Sequence, residues 1–300
     1  MNDTPKQLAI IGATASGKSA LAVKIAQAND AIILSLDSLA IYREIDITSA
    51  KPTVEERGGV EHYGIDVISP QDAFDVTLFI KLYRDALAQA QSQDKTLIIV
   101  GGTGFYLKSL ISGISPLVTP DSTTKEEIAQ AMTKAQEIYE MLESRDPLYM
   151  QNIASNDTYR IEKALSILWS TGEIPSIYFK NNPPTPIITT PLPIYQINTP
   201  RELLRERISK RSKKMLQDGL IDEVAYLEKK YTRKPNAMKA IGIKETLEYL
   251  DGKYNLKRLE ERLSTNTARL AKRQNTFNRS QFDNLITGRV ENLEQKIVID

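Results

Sequence analysis

A phosphate-binding loop near the start of the chain constrains the fold more than any other feature. Residues 12–19, GATASGKS, fit the pattern G-x-x-x-x-G-K-[ST]. They follow an apolar run at 8–11 and precede a stretch with helical periodicity, so the loop is expected to join a strand to a helix. Glycines let the backbone curl and turn N–H groups toward phosphate oxygens, and the helix N-terminus adds partial positive charge.

The ligand of this loop is predicted to be a diphosphate. Lys18 can reach the phosphate oxygens, and the Ser19 hydroxyl can hold Mg²⁺. These groups recognise a diphosphate and not an adenosine, so ATP is the usual ligand but other diphosphate compounds would satisfy the same loop. The predicted diphosphate- or nucleotide-binding residues are Gly12, Ala13, Thr14, Ala15, Ser16, Gly17, Lys18 and Ser19.

Apolar runs that alternate with helical stretches predict the fold class. Further runs stand at 31–37 and 96–100, and the helical stretch between them places Leu78, Leu82 and Ala86 on one face. Strands that alternate with helices form a parallel sheet covered on both faces. We expect an α/β fold with a three-layer core like that of the phosphate-loop NTPases.

A change of character after residue 115 predicts a small helical insertion. Prolines and a Ser/Thr cluster end the α/β pattern, and helices are predicted at 123–144 and 156–172. Five prolines within 181–193 then lead to a last strand near 194–197. The predicted domains are a core at 1–115 and 190–300 and an insertion at 116–189.

The C-terminal third is predicted to be helical and is strongly basic. Thr199 is expected to cap its first helix, with Pro200 in the first turn. Residues 201–279 carry twenty-one Lys/Arg against eleven Asp/Glu, although the whole chain has a net charge of only +1. Such a surface suits RNA phosphates, and Phe277 beside the basic cluster could stack on a base. The alternative is helices with solvated Lys and Arg faces.

Composition excludes several kinds of site. The chain has no cysteine, which excludes disulfides, thiolate chemistry and cysteine zinc sites, and its one histidine, His62, follows no G-x-S-x-G element. No apolar run reaches about 18 residues and no charged-then-apolar leader precedes the first strand, so we expect a cytoplasmic protein without a membrane partner. Nothing signals an obligate oligomer, and a monomer is expected.

A candidate catalytic carboxylate stands at the end of the second apolar run. Asp37 ends that run, whereas the run at 96–100 leads into the glycines of 101–104. Ligands of open α/β sheets bind beyond the carboxyl ends of the strands, so Gly12, Asp37 and Thr103 should face one crevice. An Asp beside a bound diphosphate suits proton abstraction from a nucleophile. Asp37 could instead be a turn or N-cap residue, and GGTG a tight turn.

Three functions remain open on these residues. One is a small-molecule or nucleotide kinase, another is a transferase in which diphosphate is the leaving group, and the third is a non-enzymatic phosphate-loop protein that binds RNA. Asp37 without an evident second acid, together with the basic helices, favours the transferase, because a small-molecule kinase does not need a basic surface.

Seven segments carry a resemblance to a known enzyme family. They are GATASGKSALA (12–22), LDSLAIYREIDITSAKPT (36–53), GIDVISP (64–70), VGGTGFYLKSLISGIS (100–115), NDTYRIEKAL (156–165), NAMKAIGIKE (236–245) and AKRQNTFNR (271–279). The combination of D-S-x-x-x-Y, A-K-P-T, G-G-T-G-x-Y and A-K-R-Q-x-T is far more specific than the phosphate loop alone. The chain resembles the bacterial tRNA dimethylallyltransferases, also called tRNA isopentenyltransferases.

The resemblance implies a reaction and roles for three residues. A dimethylallyl group moves from dimethylallyl diphosphate to the N6 amine of the adenine on the 3′ side of the anticodon, and diphosphate is released. The loop, with Lys18 and Mg²⁺, holds the diphosphate; Asp37 is the general base, and Thr103 helps to place the adenine. In the family this adenine is flipped out of the anticodon loop into a channel.

The resemblance also implies contacts with the anticodon stem-loop of tRNA. By position these are Asp37, Ser38, Leu39, Ala40, Thr103, Lys125, Tyr159, Arg160, Ile161, Glu162, Lys163, Lys239, Lys244, Lys272, Arg273, Gln274, Phe277 and Arg279. Tyr159 and Ile161 are equally compatible with a buried core. The family often has Arg, Tyr and Trp where this chain has Ala268, Ile243 and Phe277, which weakens individual tRNA contacts and leaves the catalytic assignment intact.

Overall fold

A computed structural model describes residues 6–297, so the outermost residues of the predicted core, 1–5 and 298–300, lie outside the described residues. The chain divides into two compact units. Unit 1 takes in the chain up to Lys108 and from Thr190 onward, and unit 2 is Ser109–Thr189. Unit 2 therefore begins seven residues before the predicted insertion of 116–189.

Unit 1 contains a six-stranded, fully parallel sheet, which confirms the predicted α/β fold. In chain order the strands are β1 (Gln7–Gly12), β2 (Ala31–Ser35), β3 (His62–Tyr63), β4 (Thr96–Gly101), β5 (Ile194–Ile197) and β6 (Ile286–Gly288). Their order across the sheet is β3-β2-β4-β1-β5-β6. Five of the six residues of β1 and all six of β4 are buried, because helices cover both faces and leave no solvent face that would need polar alternation.

The helices cover this sheet or build unit 2. In chain order they are α1 (Lys18–Ala28), α2 (Val76–Ser92), α3 (Gly104–Ser112), α4 (Ser122–Ala131), a 3₁₀ turn (Met132–Lys134), α5 (Ala135–Arg145), α6 (Pro147–Met150), α7 (Thr158–Thr171), α8 (Pro175–Asn181), α9 (Arg201–Gln217), α10 (Leu220–Tyr231), a second 3₁₀ turn (Asn236–Lys239), α11 (Ile243–Leu250), α12 (Leu256–Gln281) and α13 (Val290–Lys296). Within the described residues, no helix is both long enough and apolar enough to cross a membrane.

The middle of the sheet brings three loops together at its carboxyl edge. Because β4 pairs with both β1 and β2, these three strands are adjacent, and the loops that follow them begin next to one another at that edge. Gly101, the last residue of β4, lies so close to the segment after β2 that a Cβ there would come within 2.5 Å of the Leu36 Cβ. A glycine is therefore needed at Gly101 for the GGTG loop to lie beside Asp37.

Unit 2 has a small hydrophobic core of its own. The core is formed by Ile128, Leu142, Met150, Ile153, Ile161, Ala164, Leu165 and Leu168. Buried Asp146 organises its turns, since Oδ1 accepts from the Tyr149 N–H at 3.1 Å and Oδ2 from the Ser176 N–H at 2.7 Å. These two bonds fix the starts of two short helices that could not hold their places by helix propensity alone.

Three local expectations were wrong. The helix predicted at 123–144 is two helices separated by a 3₁₀ turn. Pro200, and not Thr199, is the N-cap of α9, and no side chain caps that helix. Leu78 is only half-buried, because the core-facing stripe of α2 lies one residue further on, at Phe79, Leu82, Tyr83, Ala86 and Ala90.

Candidate active site

A cavity of about 390 Å³ lies at the carboxyl edge of the sheet, entirely within unit 1. Lys18, Asp37 and Thr103 all line it, so the structure brings together the three residues predicted to be catalytic. The remaining wall is largely apolar, with Phe74, Tyr106, Ile208, Met215, Leu263 and Leu270. One end of the cavity can therefore hold charged groups while the rest accepts a hydrocarbon group.

The phosphate loop has the curled backbone that its sequence predicts, with one addition. Gly17 has φ of 95° and precedes α1, as a left-handed position that favours glycine. Ala15 is also left-handed, with φ of 63°, which the glycine pattern did not indicate. The turn is closed by the Ser16 N–H, which donates to the Ala13 carbonyl at 3.2 Å. Ser19 lies exposed in the first turn of α1.

Two half-buried cations, Lys18 and Arg211, lie near the carboxylate of Asp37 in this crevice. Burial lowers the pKa of Lys18 to about 8, since desolvation disfavours the ammonium form; Asp37 acts against this shift and Arg211 adds to it. Burial also lowers the pKa of Arg211, again opposed by Asp37. Two cations against one carboxylate leave the crevice electropositive, which suits an anion such as diphosphate.

Arg211 was missed as a site residue, because the sequence analysis placed the basic residues of 201–214 on an outer surface. Its guanidinium donates to Thr14 Oγ1 at 3.2 Å and to the Ser49 carbonyl at 3.3 Å. A signal was present, since Leu204, Ile208 and Ser212 recur at intervals of four and mark a buried stripe of α9 beside Arg211.

Asp37 closes a turn and also lines the cavity. Its Oδ1 accepts from the Leu39 N–H at 2.8 Å and the Ala40 N–H at 3.1 Å, so it closes the turn that follows β2. The same carboxylate is half-buried and lines the cavity. The turn therefore holds the carboxylate in a fixed orientation at the edge of the crevice.

Gln274 connects helix α12 to two loops of the site. Its Oε1 accepts from the Thr14 N–H of the phosphate loop at 2.8 Å. Its amide group also lies against Gly102, where any Cβ would clash with it. The sequence predicts Gln274 only as a tRNA contact. Its hydrogen bond to Thr14 makes it a positioning residue for the phosphate loop as well.

Glu223 of α10 was also missed and holds a neighbouring loop. Its carboxylate accepts from the N–H groups of Asp46, Ile47 and Thr48 and from Thr48 Oγ1, at 2.7 to 2.9 Å. Thr48 and Ser49 line the cavity, so this carboxylate fixes one of its walls. The sequence gives no local sign of this, because the partners lie about 175 residues apart.

The predicted tRNA contacts of unit 1 are distributed around the cavity and beyond it. Ser38, Leu39 and Gln274 line it, and Ala40 is buried behind them. Phe277 packs on Gly104, next to Thr103, at the start of α3. The remaining members are exposed cations: Lys239, Lys244, Lys272, Arg273 and Arg279.

In unit 2 the predicted contacts separate by burial. Ile161 is fully buried in the core of that unit, so its side chain is not accessible to RNA. Tyr159 is 68% exposed. The charged members Lys125, Arg160, Glu162 and Lys163 are exposed too, and the Lys163 ammonium lies 5.6 Å from the centre of the Tyr159 ring.

Comparison with known proteins identifies relatives along nearly the whole chain. Residues 40–281 match the family model described as IPP transferase. A tRNA dimethylallyltransferase of Sulfurovum sp. is 60% identical over 295 residues, which cover 98% of each chain.

Solved structures of two related enzymes also superpose on most of this chain. The full-length tRNA isopentenylpyrophosphate transferase of Bacillus halodurans superposes with a TM-score of 0.70 at 29% identity, over 97% of this chain and 95% of that one. A eukaryotic dimethylallyltransferase captured acting on tRNA superposes with a TM-score of 0.80 at 26% identity, over 91% of this chain and 70% of that one.

The lowered pKa of Lys18 predicts that the affinity for diphosphate depends on pH. The protonated amine binds the anion, so affinity for dimethylallyl diphosphate should be constant below pH 8 and fall above it by up to about tenfold per pH unit, with proton uptake on binding. Calorimetry in buffers of different ionisation enthalpy measures both effects. Lys18→Arg, which stays charged, should abolish the pH dependence, and an unchanged pH dependence in that variant would contradict the assignment.

The contact between Gln274 and the phosphate loop predicts a second effect on the same affinity. Gln274→Met keeps the length of the side chain but removes the acceptor of the Thr14 N–H, so binding of dimethylallyl diphosphate without tRNA should weaken by about fivefold, the value of one hydrogen bond. Asn275→Ala, on another face of α12, is the matched control and should bind normally. Equal affinities in the two variants would limit Gln274 to a role in tRNA binding.

Proposed function

This chain belongs to the IPP transferase family and transfers a dimethylallyl group to tRNA; we propose that the acceptor is the exocyclic N6 amine of the adenine on the 3′ side of the anticodon. The donor is dimethylallyl diphosphate. The observation that carries this proposal is one cavity that combines a phosphate loop, two half-buried cations, a carboxylate and an apolar wall.

The donor fits the two kinds of surface in this cavity. Its diphosphate would lie against the N–H groups of the phosphate loop, with Lys18 and Arg211 as counter-charges. Its five-carbon group would lie against the apolar wall, which includes Phe74 and Leu270. ATP would satisfy the loop but has no hydrocarbon group for that wall.

Asp37 supplies the base that the acceptor needs. The N6 amine of adenine is a weak nucleophile because its lone pair is delocalised into the ring. As the bond from N6 to the allylic carbon forms, the bond from that carbon to the diphosphate oxygen breaks, and Asp37 takes the N6 proton. Negative charge then grows on the departing diphosphate, where the loop N–H groups, Lys18 and Arg211 stabilise it. Thr103, in the loop that lies beside Asp37, is assigned to placing the adenine.

Mg²⁺ is proposed as the metal that accompanies the diphosphate. Within residues 6–297 no group of three or more His, Cys, Asp or Glu side chains is placed to hold a metal ion. The proposed protein ligand is the Ser19 hydroxyl in the first turn of α1, because Mg²⁺ is held by few protein oxygens together with substrate phosphates and water. When bound, the ion would neutralise part of the charge on the leaving diphosphate.

An anticodon stem-loop is the proposed tRNA element. A base that is stacked in RNA cannot reach a carboxylate inside a cavity, so the adenine has to leave the stack before it reacts. The exposed cations Arg160, Lys239 and Arg273 are proposed as contacts with RNA phosphates. We propose that the protein acts in the cytoplasm as a monomer.

The function is tested by a transfer assay with dimethylallyl diphosphate, labelled in the allyl group, and total tRNA. We expect label in tRNA, release of one diphosphate per transfer, and one modified adenine next to the anticodon in digests analysed by mass spectrometry. Formation of ADP from ATP with a phosphorylated product would support a kinase instead. Binding of tRNA without any covalent product would support a non-enzymatic RNA-binding protein.

Asp37→Asn tests the base. The Asn side-chain oxygen can still accept from the Leu39 and Ala40 N–H groups, so the turn should persist while the base is lost. The single-turnover rate should fall by at least about 100-fold, the usual size of general-base effects, with dimethylallyl diphosphate still bound. Asp37→Ala, which also removes the turn contact, shows how much of any loss comes from the loop. A rate near that of the unmodified enzyme for Asp37→Asn would exclude the carboxylate as base.

A further inference from the structure

A second and larger cavity, a groove of about 1040 Å³, lies along helices α9 and α12 in unit 1. Five cations line it: Arg201, Arg205, Arg269, Lys272 and Arg279. No Asp or Glu side chain is among its lining residues. Its floor is apolar, with Leu204, Ile208 and Ala271, and its remaining lining is mostly hydroxyl and amide groups such as those of Thr265 and Asn275.

The groove cations have no carboxylate partner, whereas more than half of the other cations on the same two helices have one. Within the described part of the chain, none of the five forms an ion pair. Five other cations of α9 and α12 are paired: Lys210 with Glu206, Lys213 with Glu260, Lys214 with Asp218, Arg258 with Glu261 and Arg262 with Glu248. Within the described residues the other four, Arg207, Arg211, Lys257 and Arg273, form no ion pair. Because five unpaired cations share one groove whose lining holds no carboxylate, the groove is a segregated positive surface.

The groove cations lie outside the crevice that is proposed to hold the diphosphate, although Ile208 contributes to the walls of both cavities. Along α12, Thr267, Leu270 and Gln274 line the crevice, whereas Lys272 and Arg279 line the groove. From Arg269 to Arg279 the helix rises by roughly 15 Å at 1.5 Å per residue. Charge spread over such a length matches a chain of phosphates better than a single diphosphate group.

We propose that this groove binds the sugar–phosphate backbone of tRNA at a segment other than the nucleotide that enters the crevice. The proposal rests on the proposed function, because it takes tRNA as the polyanion. Arginine and lysine contact the phosphates, and the hydroxyl and amide groups of the groove donate further hydrogen bonds to them. Such contacts carry no base specificity and set the position of the RNA on the enzyme.

The test uses two charge-matched double variants. Arg205→Gln/Arg269→Gln removes two groove charges, and Lys210→Gln/Lys214→Gln removes two paired charges from α9. The affinity for tRNA is measured over a series of salt concentrations in the absence of dimethylallyl diphosphate, so the result does not depend on whether transfer occurs. Tight binding of dimethylallyl diphosphate and an unchanged melting temperature show that each variant is folded.

The groove variant should lose at least tenfold in tRNA affinity at low salt, and its log–log salt dependence should become shallower by about two, one for each lost phosphate contact. The loss should be the same for a tRNA without the acceptor adenine, because backbone contacts do not read bases. The control should bind within twofold of the unmodified enzyme. If the groove variant is unstable, Arg201→Gln/Arg279→Gln at the ends of the groove replaces it with the same expectation.

Three results would overturn the proposal. One is an unchanged tRNA affinity and salt dependence in the groove variant. Another is an equal loss in the control, which would mean that general charge and not the groove is responsible. The third is a selective loss of dimethylallyl diphosphate binding, which would make the groove an entry path for the donor. Failure of the transfer assay with normal groove-dependent tRNA binding would instead refute only the proposed reaction.

Discussion

Two desolvated cations held against a single carboxylate are the constraint on which the site depends. Lys18 and Arg211 are far apart in the sequence, and both lose solvation where Asp37 is their shared counter-charge. An excess of buried positive charge costs free energy unless an anion completes it. The parallel sheet holds these groups together despite this cost, because the adjacent strands β1, β4 and β2 fix the loops that carry Lys18, Thr103 and Asp37. An anionic ligand such as diphosphate supplies the negative charge that this arrangement lacks.

The parts of the fold that follow from local pattern could be predicted from the sequence. Buried parallel strands are continuous apolar runs, so β1, β2 and β4 stand out, and a strand followed by GATASGKS and a helix leaves little freedom for the first loop. Asp37 could be placed because the carboxyl ends of parallel strands share one edge. The site assignments that rest on the family resemblance, such as the tRNA contacts of Lys125 and Lys244, stay predictions.

Features that depend on distant partners could not be predicted in this way. Arg211 is one of seven basic residues in 201–214, and only the packing of α9 on the phosphate loop separates it from those that face solvent. In the sequence, Glu223 is an ordinary acidic residue in the first turn of α10. Its role follows only from the structure, in which N–H groups of the loop at 46–48 donate to its carboxylate. The predicted core-facing stripe of α2 was wrong at Leu78 for a related reason. The sheet that the helix covers decides which of its residues face the core, and its own sequence alone does not.

The hydrogen bond between Thr14 and Gln274 has a consequence for how the enzyme is made. It joins residues 260 positions apart, so the first loop synthesised is completed by nearly the last helix. Contacts of such long sequence separation form late, since the entropy of closing the intervening chain has to be overcome first. A nascent or truncated chain that contains every residue of the phosphate loop would therefore lack its finished shape. The ability to bind the donor is therefore acquired late in folding, when the helix that presents the basic surface packs against the loop.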